Sequence, residues 1–198
     1  MKRESLGYTV LFVFVTTFVL TGALSWVHTA TEPIVRNNEL ERYQRAVLEA
    51  AGLAPESQAE VFAAYSSLAR VSSANGVVYI TDEAYAVPFT GPGVWGDIEG
   101  ILGVATSGEY IVGLEILNQN ETPGLGGRIM EERFLRQFRG ERLGTGGRLA
   151  MNRGTGDADP ANGAVDGISG ATGTSRAVHR IVNAAIAEAR GVIDSARE

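Results

Sequence analysis

Residues Leu6 to Val27 (LGYTVLFVFVTTFVLTGALSWV) contain no charged side chain, and this stretch constrains the chain more than any other. At ~1.5 Å per helical residue the run reaches roughly 30 Å, the thickness of a bilayer hydrocarbon core. Thr9, Thr16, Thr17 and Thr21 can hydrogen-bond back to their own helix, and Trp26 falls where an amphipathic ring suits the membrane interface. Lys2 and Arg3 precede the run, so the positive-inside rule predicts a cytoplasmic amino terminus and export of the remainder of the chain. A cleaved signal peptide, with Ala23-Leu24-Ser25 as the small-residue site, is the rival; the run is longer than the ~7–15 apolar residues such signals use. An uncleaved signal-anchor is therefore expected over residues 6–28, behind a cytoplasmic terminus of residues 1–5.

Composition narrows the chemistry of the exported part. Without Lys2, Arg3 and Glu4 the chain keeps 15 basic and 22 acidic groups, an acidic balance that argues against nucleic acid or anionic lipid as partner. There is no cysteine, which removes disulfides, thiolate metal sites, thioether haem and thiol nucleophiles. His28 and His179 are too few for a multi-histidine metal centre, and no metal site is expected. Lys2 is the only lysine, so neither a P-loop lysine nor a Schiff base is available in the body of the chain. Hydroxyls, carboxylates, backbone amides or an imported cofactor remain.

Periodicity gives the layout. Thr31 to Ala51 reads as a helix, capped by Thr31 with Pro33 in its first turn and ended by Gly52 and Pro55; Glu56 to Ala69 reads as a second, shorter one. Residues 29–75 are thus a helical stalk or the start of a domain. Gly76–Ile80, Tyr85–Phe89, Gly100–Ala105 and Tyr110–Leu117 are β-type runs separated by Gly, Asn and Asp. Arg128 to Arg139 looks helical, and 140–163 is a Gly- and Asp-rich loop region. Val178, Ile181, Val182, Ala185, Ile186, Ala189, Val192 and Ile193 mark Ser175–Arg197 as an amphipathic helix with one buried face. The expected architecture is one α+β domain, a mixed or antiparallel sheet with flanking helices, preceded by one N-terminal transmembrane helix.

Three stretches have unusual local composition: Gly91-Pro-Gly-Val-Trp-Gly-Asp before a strand, Asn120-Glu-Thr-Pro-Gly-Leu-Gly-Gly-Arg between a strand and a helix, and Asp166-Gly-Ile-Ser-Gly-Ala-Thr-Gly-Thr-Ser before the last helix. The last one leaves backbone accessible at a helix amino terminus, where free amides and the dipole favour an anion. A phosphate held by or bonded to Thr172 would sit there, with Arg176 adding charge; the plainer alternative is a capped helix start with Thr174 or Ser175 as N-cap.

Asp166-Gly167-Ile168-Ser169-Gly170-Ala171-Thr172 resembles the flavinylation motif of the FMN-binding domain in the RnfG/NqrC family, subunits of Rnf and Na⁺-translocating NADH:quinone oxidoreductase (Nqr) complexes. Glu121-Thr122-Pro123-Gly124-Leu125-Gly126 is similar to that family's loop beside the flavin, and Gly91-Pro92-Gly93-Val94-Trp95-Gly96 resembles its Gly-x-Gly-Leu-Trp segment, more the NqrC form than the RnfG form. All three occur in the family's order behind one amino-terminal apolar segment.

The resemblance implies FMN bound covalently through a phosphoester to Thr172, attached after export by an FMN transferase of the ApbE type. It assigns 76–198 to the FMN-binding domain, with Ser169, Gly170, Ala171, Thr174, Asp166, Glu121, Thr122, Pro123, Gly124, Leu125, Gly126 and Trp95 as further cofactor-site residues. Within that set, Trp95 either stacks near the ring or belongs to the core, and Glu121 bonds backbone or flavin or caps a helix. Asp166 aids the transferase or makes an Asp-Gly turn, His179 is a solvated helix residue, and the Asn120-Glu-Thr glycosylation sequon is a chance match. The implied function is an electron-transfer subunit of an ion-translocating oxidoreductase in the bacterial inner membrane, partnered by the other subunits. The alternatives are a free-standing anchored flavin carrier for another extracytoplasmic reductase, or a non-redox module with a degenerate motif.

Overall fold

The computed structural model describes residues 6–73, 76–152, 154 and 156–197. The expected cytoplasmic terminus, 1–5 with Lys2, Arg3 and Glu4, lies outside the described residues. The chain divides into two compact units, Met1–Leu40 and Glu41–Glu198.

Helix α1, Leu6–Ala50, enters both. Its first part is apolar on all sides and exposed, and by length and composition alone it can cross a membrane. The expected break before Thr31 does not occur. Thr31 Oγ bonds back to the carbonyls of Val27 and His28 (2.9 and 3.2 Å), so it acts inside the helix rather than as its cap. Pro33 lacks an N–H and sits within the helix, where it forfeits one backbone bond without ending it.

The second unit begins with the last turns of α1 and continues through α2, Gln58–Ser67, whose first turn is capped by Ser57 Oγ accepting from Glu60 N–H (3.3 Å). A five-stranded antiparallel sheet follows in sequence order: β1 Ala69–Ser73, β2 Gly76–Ile80, β3 Ala84–Pro92, β4 Asp97–Ala105 and β5 Ile111–Asn118. Strand β1 is absent from the sequence expectation because Ala-Arg-Val-Ser-Ser is an exposed edge without apolar alternation. The stretch Arg128–Arg139 is broken into a 3₁₀ turn over Gly126–Met130, the one-turn helix α3 Glu132–Leu135, and a second 3₁₀ turn over Arg136–Phe138. Two short parallel strands, β6 Ala150–Asn152 and β7 Ala164–Asp166, lead into helix α4, Thr172–Arg197.

Each face of the main sheet carries its own core. On one, Val87, Ile98, Leu102, Val104, Ile111 and Leu114 pack against the apolar stripe of α4, with Phe134 and Phe138 closing one side. That burial fixes where α4 begins and ends, and so where Thr172 sits. On the other face, Ala46, Val47 and Ala50 of α1 pack on Tyr79, Ala86 and Ile101. The approach is close because Gly103 and Gly113 face each other across β4 and β5. A Cβ on Gly103 would overlap the Ala50 carbonyl, and one on Gly113 would lie 3.0 Å from it. Tyr65 Oη donates to Tyr79 Oη (2.8 Å) while Arg70 stacks over both rings, tying α2, β1 and β2 together.

Candidate flavin-attachment site

The loop between β7 and α4 is shaped by its own hydroxyl. Ser175 Oγ accepts from Ile168 N–H and donates to the Ala171 carbonyl, both at 2.9 Å, folding residues 168–171 onto the first turn of α4. Gly170 takes a positive φ of 81° in that loop, a conformation that favours glycine. The first intrahelical bond is Ser175 N–H to Ala171 C=O (2.9 Å), so helix geometry leaves the amides of Thr172, Gly173 and Thr174 without an intrahelical acceptor. Helix α4 thus starts three residues before the position expected from sequence. Neither Thr174 nor Ser175 is its N-cap: both lie inside the helix and are buried. Thr172, its first residue, is exposed, as are Ser169 and Gly170, whereas Ala171 is buried beneath them.

Thr172 stands at the edge of a cavity of about 620 Å³, lined by Met151, Asn152, Ile168, Ser169, Arg176 and His179 among others. Thr172, Arg176 and His179 are spaced to share one face of α4. His179 is half-buried rather than solvated: its Nε2 lies 2.8 Å from the Leu149 carbonyl, which only accepts, so the ring carries its hydrogen on Nε2. Asn183 clasps the same residue, accepting from Leu149 N–H and donating to its C=O (3.0 Å each). Asp166 faces a neighbouring cavity of about 220 Å³ with Arg128, Arg133 and Gln137, and its Oδ2 accepts from Gly156 N–H (3.0 Å). Met151, Asn152 and His179 line the cavity but were not among the expected site residues; the first two lie on β6, inside the stretch 140–163 read as loop, the third on a helix face read as polar, and no local motif marks them.

The other two motifs arrive at the same helix end. Thr122, Pro123, Gly124 and Leu125 form a turn closed by Leu125 N–H to Thr122 C=O (3.1 Å), with Gly124 at φ 75°, the pattern of a type II turn. The Trp95 segment does not merely precede a strand. Gly91 and Pro92 belong to β3, and residues 93–96 make the hairpin turn to β4, closed by Gly93 N–H to Gly96 C=O (2.8 Å). Trp95 is 71% exposed and is not core. Val94 and Leu125 are also exposed, and both lie against the start of α4: a Cβ on Gly173 would come within 2.9 Å of Val94 Cγ2, and one on Gly170 within 3.5 Å of Leu125 Cδ2.

One carboxylate joins the three segments. Glu121 Oε1 accepts from the amides of Val94 (2.7 Å) and Trp95 (3.2 Å), and Oε2 accepts from Thr174 Oγ (2.5 Å). Glu121 and Thr174 are each 4% exposed, so they stand behind the site surface and are occupied by protein partners; Gly126, beside them, is buried too. Burial pushes the Glu121 carboxyl up, but the Thr174 hydroxyl and the two amides outweigh it and hold the group below the usual carboxylate range. Among the described residues, no group of His, Asp and Glu has the arrangement of a metal site.

A cavity of this size, an exposed hydroxyl at a helix amino terminus and three exposed apolar side chains make a surface suited to a planar, phosphate-bearing ligand. Residues 93–187 match the family model of the FMN-binding domain. The chain is 36% identical over 115 residues to the C subunit of the Na(+)-translocating NADH-quinone reductase of Chlamydia pneumoniae, and 36% identical over 94 residues to that of Pasteurella multocida. These matches cover 50% and 47% of this chain and 36% of each relative, so the matched stretch spans about a third of the length of these relatives. In fold, the structure is similar to the C subunit of the same reductase from Parabacteroides distasonis (TM-score 0.60, 22% identity, 78% of this chain and 92% of that one). NqrC of Shewanella oneidensis is similar to the same degree (TM-score 0.60, 24% identity, 74% and 89%). The main unit thus has the fold of these solved C subunits, and residues 93–187 within it resemble the FMN-binding domain. In sequence over its second half, and in fold, the chain is similar to C subunits of the Na(+)-translocating NADH-quinone reductase.

Proposed function

We propose that this chain is an electron-transfer subunit of a membrane-bound, ion-translocating oxidoreductase, carrying FMN as a phosphoester on Thr172 on the extracytoplasmic side. The observation that carries this reading is the placement of Thr172: an exposed hydroxyl on the first residue of α4, at the rim of a 620 Å³ cavity. The residues present fit FMN. The amides of Thr172, Gly173 and Thr174 and the nearby Arg176 suit its phosphate; the small residues Gly170 and Gly173 leave room that a Cβ would take, and Leu125, Val94 and Trp95 offer apolar contact for a ring. When bound, the flavin supplies the redox chemistry, and the protein positions it and tunes its surroundings.

Relatives that are C subunits of the Nqr-type reductase favour the Nqr-type complex over the Rnf type, with the other subunits as partners. The first part of α1 anchors the chain as a single span of the cell membrane with its amino terminus in the cytoplasm. An FMN transferase of the ApbE type completes maturation. Asp166, turned toward the smaller cavity, acts in that step rather than on the ring. The test is co-expression with such a transferase, followed by flavin fluorescence of the denatured band in a gel. Wild type and Thr172→Ser fluoresce and Thr172→Ala does not. A fluorescent Thr172→Ala band, or a dark wild-type band, refutes the assignment, and copurification with polytopic subunits tests the complex.

A further inference from the structure

The contacts of Glu121 differ from what a cofactor-binding residue would show. Its three acceptor contacts go to the 93–96 turn and to α4, and its own N–H donates to Gln119 Oε1 (2.5 Å). Its hydrogen-bond partners and the glycines packed on it are small or uncharged: the Val94 and Trp95 amides from the β3–β4 turn, the Thr174 hydroxyl from α4, Gln119 from its own loop, and Gly93 and Gly126 against its oxygens. A Cβ on Gly126 would sit 2.8 Å from Oε2, and one on Gly93 would be driven into Oε1. The three sequence motifs are far apart along the chain and meet here, at one ionised group that lacks a cationic partner among these neighbours.

We propose that Glu121 is a positioning residue: its negative charge locks the 93–96 turn, the 121–126 loop and the first turn of α4 into one arrangement, and thereby sets how Trp95, Val94 and Leu125 stand around Thr172. It acts through backbone and hydroxyl contacts and does not touch the cofactor. The loop-locking half of this inference is independent of the flavin reading; the consequence for the cofactor rests on it. A carboxylate accepting from two consecutive amides and a hydroxyl is held by charge-assisted bonds, roughly twice as strong as neutral ones. Glutamine has the same shape but brings a neutral acceptor and an NH₂ group that meets either the two amide donors or the Thr174 hydroxyl.

The experiment uses the full chain in detergent micelles, first without flavin. Hydrogen exchange of the Val94 and Trp95 amides is compared with that of Leu102 and Val104 in the sheet, for wild type, Glu121→Gln, Glu121→Asp and Thr174→Ser. In Glu121→Gln, exchange at Val94 and Trp95 rises by about tenfold or more while the sheet amides stay protected, as expected for losing a bond to a charged acceptor. Thr174→Ser keeps the hydroxyl and stays near wild type. In a Trp26→Phe background, Trp95 emission changes as pH falls below the usual carboxylate range, and that transition vanishes in Glu121→Gln. Unchanged exchange at Val94 and Trp95 in a folded Glu121→Gln overturns the proposal. If the sheet amides also lose protection, Glu121→Asp and the wild-type pH profile decide it: a pH-independent Trp95 signal overturns it.

With the transferase present, Glu121→Gln loads flavin severalfold less, and the induced circular dichroism of what is bound weakens. Normal loading and dichroism with released loops overturn the cofactor half alone. Absence of flavin from wild type refutes the attachment reading and leaves the exchange result standing.

Discussion

Glu121, in the loop after β5, and Glu141, just past the second 3₁₀ turn, are both buried, at 4% and 1% exposure. Each receives two consecutive backbone amides from a distant segment: Val94 and Trp95 of the β3–β4 turn in one case, Gly163 and Ala164 at the start of β7 (2.7 and 3.1 Å) in the other. Their charge preferences are opposite. At Glu141 burial dominates and Asp157 and Asp159 add to it, so the carboxyl is pushed above its ordinary range despite the two amides. At Glu121 burial is outweighed because the Thr174 hydroxyl supplies a third donor beside the two amides. Two amides do not offset the upward push of burial and neighbouring acids at Glu141; two amides and a hydroxyl do offset burial at Glu121. The carboxyl behind Thr172 is shifted toward its charged form, and the one beside Gly163 toward its protonated form.

The hardest test of the contrast is steric. Gly126→Ala brings a methyl against Glu121 Oε2 and into the Thr174 hydroxyl; a stability loss of about 2–4 kcal/mol by chemical denaturation is expected, with flavin loading lost. Next, Glu121→Gln at neutral pH costs about 1–3 kcal/mol, because a charge-assisted acceptor is lost, whereas Glu141→Gln costs less than about 1 kcal/mol because burial and the nearby Asp157 and Asp159 disfavour the charged form that the substitution removes. Equal denaturation midpoints for the two variants would erase the distinction.

Glu115 on β5 sharpens it from another side. Burial, with Glu49 nearby, raises its pKa to about 7, and Arg139 at 3.9 Å only partly offsets this. A folded-state pKa above the unfolded one gives stability that is present at low pH and lost as pH rises through about 7. Glu115→Gln is therefore expected to stabilise the domain by on the order of 1 kcal/mol in mildly alkaline buffer, and to flatten the decline that wild type shows between the ordinary carboxylate pKa and neutrality. The smallest effect is in the shape of the pH profiles. The Glu121 contribution is lost as pH falls through its depressed pKa, and that of Glu141 as pH rises through its elevated one. Glu121→Gln flattens the acid limb of a melting-temperature profile, and Glu141→Gln the opposite limb, by about a few tenths of a kcal/mol after the neutral-pH differences are removed.

Much of the fold could be read from periodicity because burial writes itself into the sequence. The stripe Val178–Ile193 located α4, and the four β-type runs located β2 to β5. Elements without one continuous, periodic apolar face were misread or missed. Edge strand β1 has no apolar alternation, and Arg128–Arg139 has helix-forming residues, but its backbone is bent into short turns that bury Ile129, Phe134 and Phe138 separately. Thr31 and Pro33 look like a helix start when only neighbours are considered, yet α1 runs through them. For the site, the three motifs were visible as composition, but their meeting at Glu121 was not. Nothing in Glu-Thr-Pro-Gly-Leu-Gly says that its carboxylate reaches a turn 26 residues earlier and a hydroxyl 53 residues later. Trp95 carried the same ambiguity, because exposure is a property of the packed chain and not of Gly-Val-Trp-Gly.

The start of α4 has a consequence for the order of events in the life of the protein. Ala171 is buried and Ser175 pins the loop, so docking of the helix on the sheet holds the exposed Thr172 hydroxyl in a fixed place at the surface. An enzyme that modifies this hydroxyl meets it on a finished surface and need not open the domain to reach it. On the attachment proposed for Thr172, a chain awaits its cofactor already folded, and supply of the cofactor rather than folding limits how many are loaded.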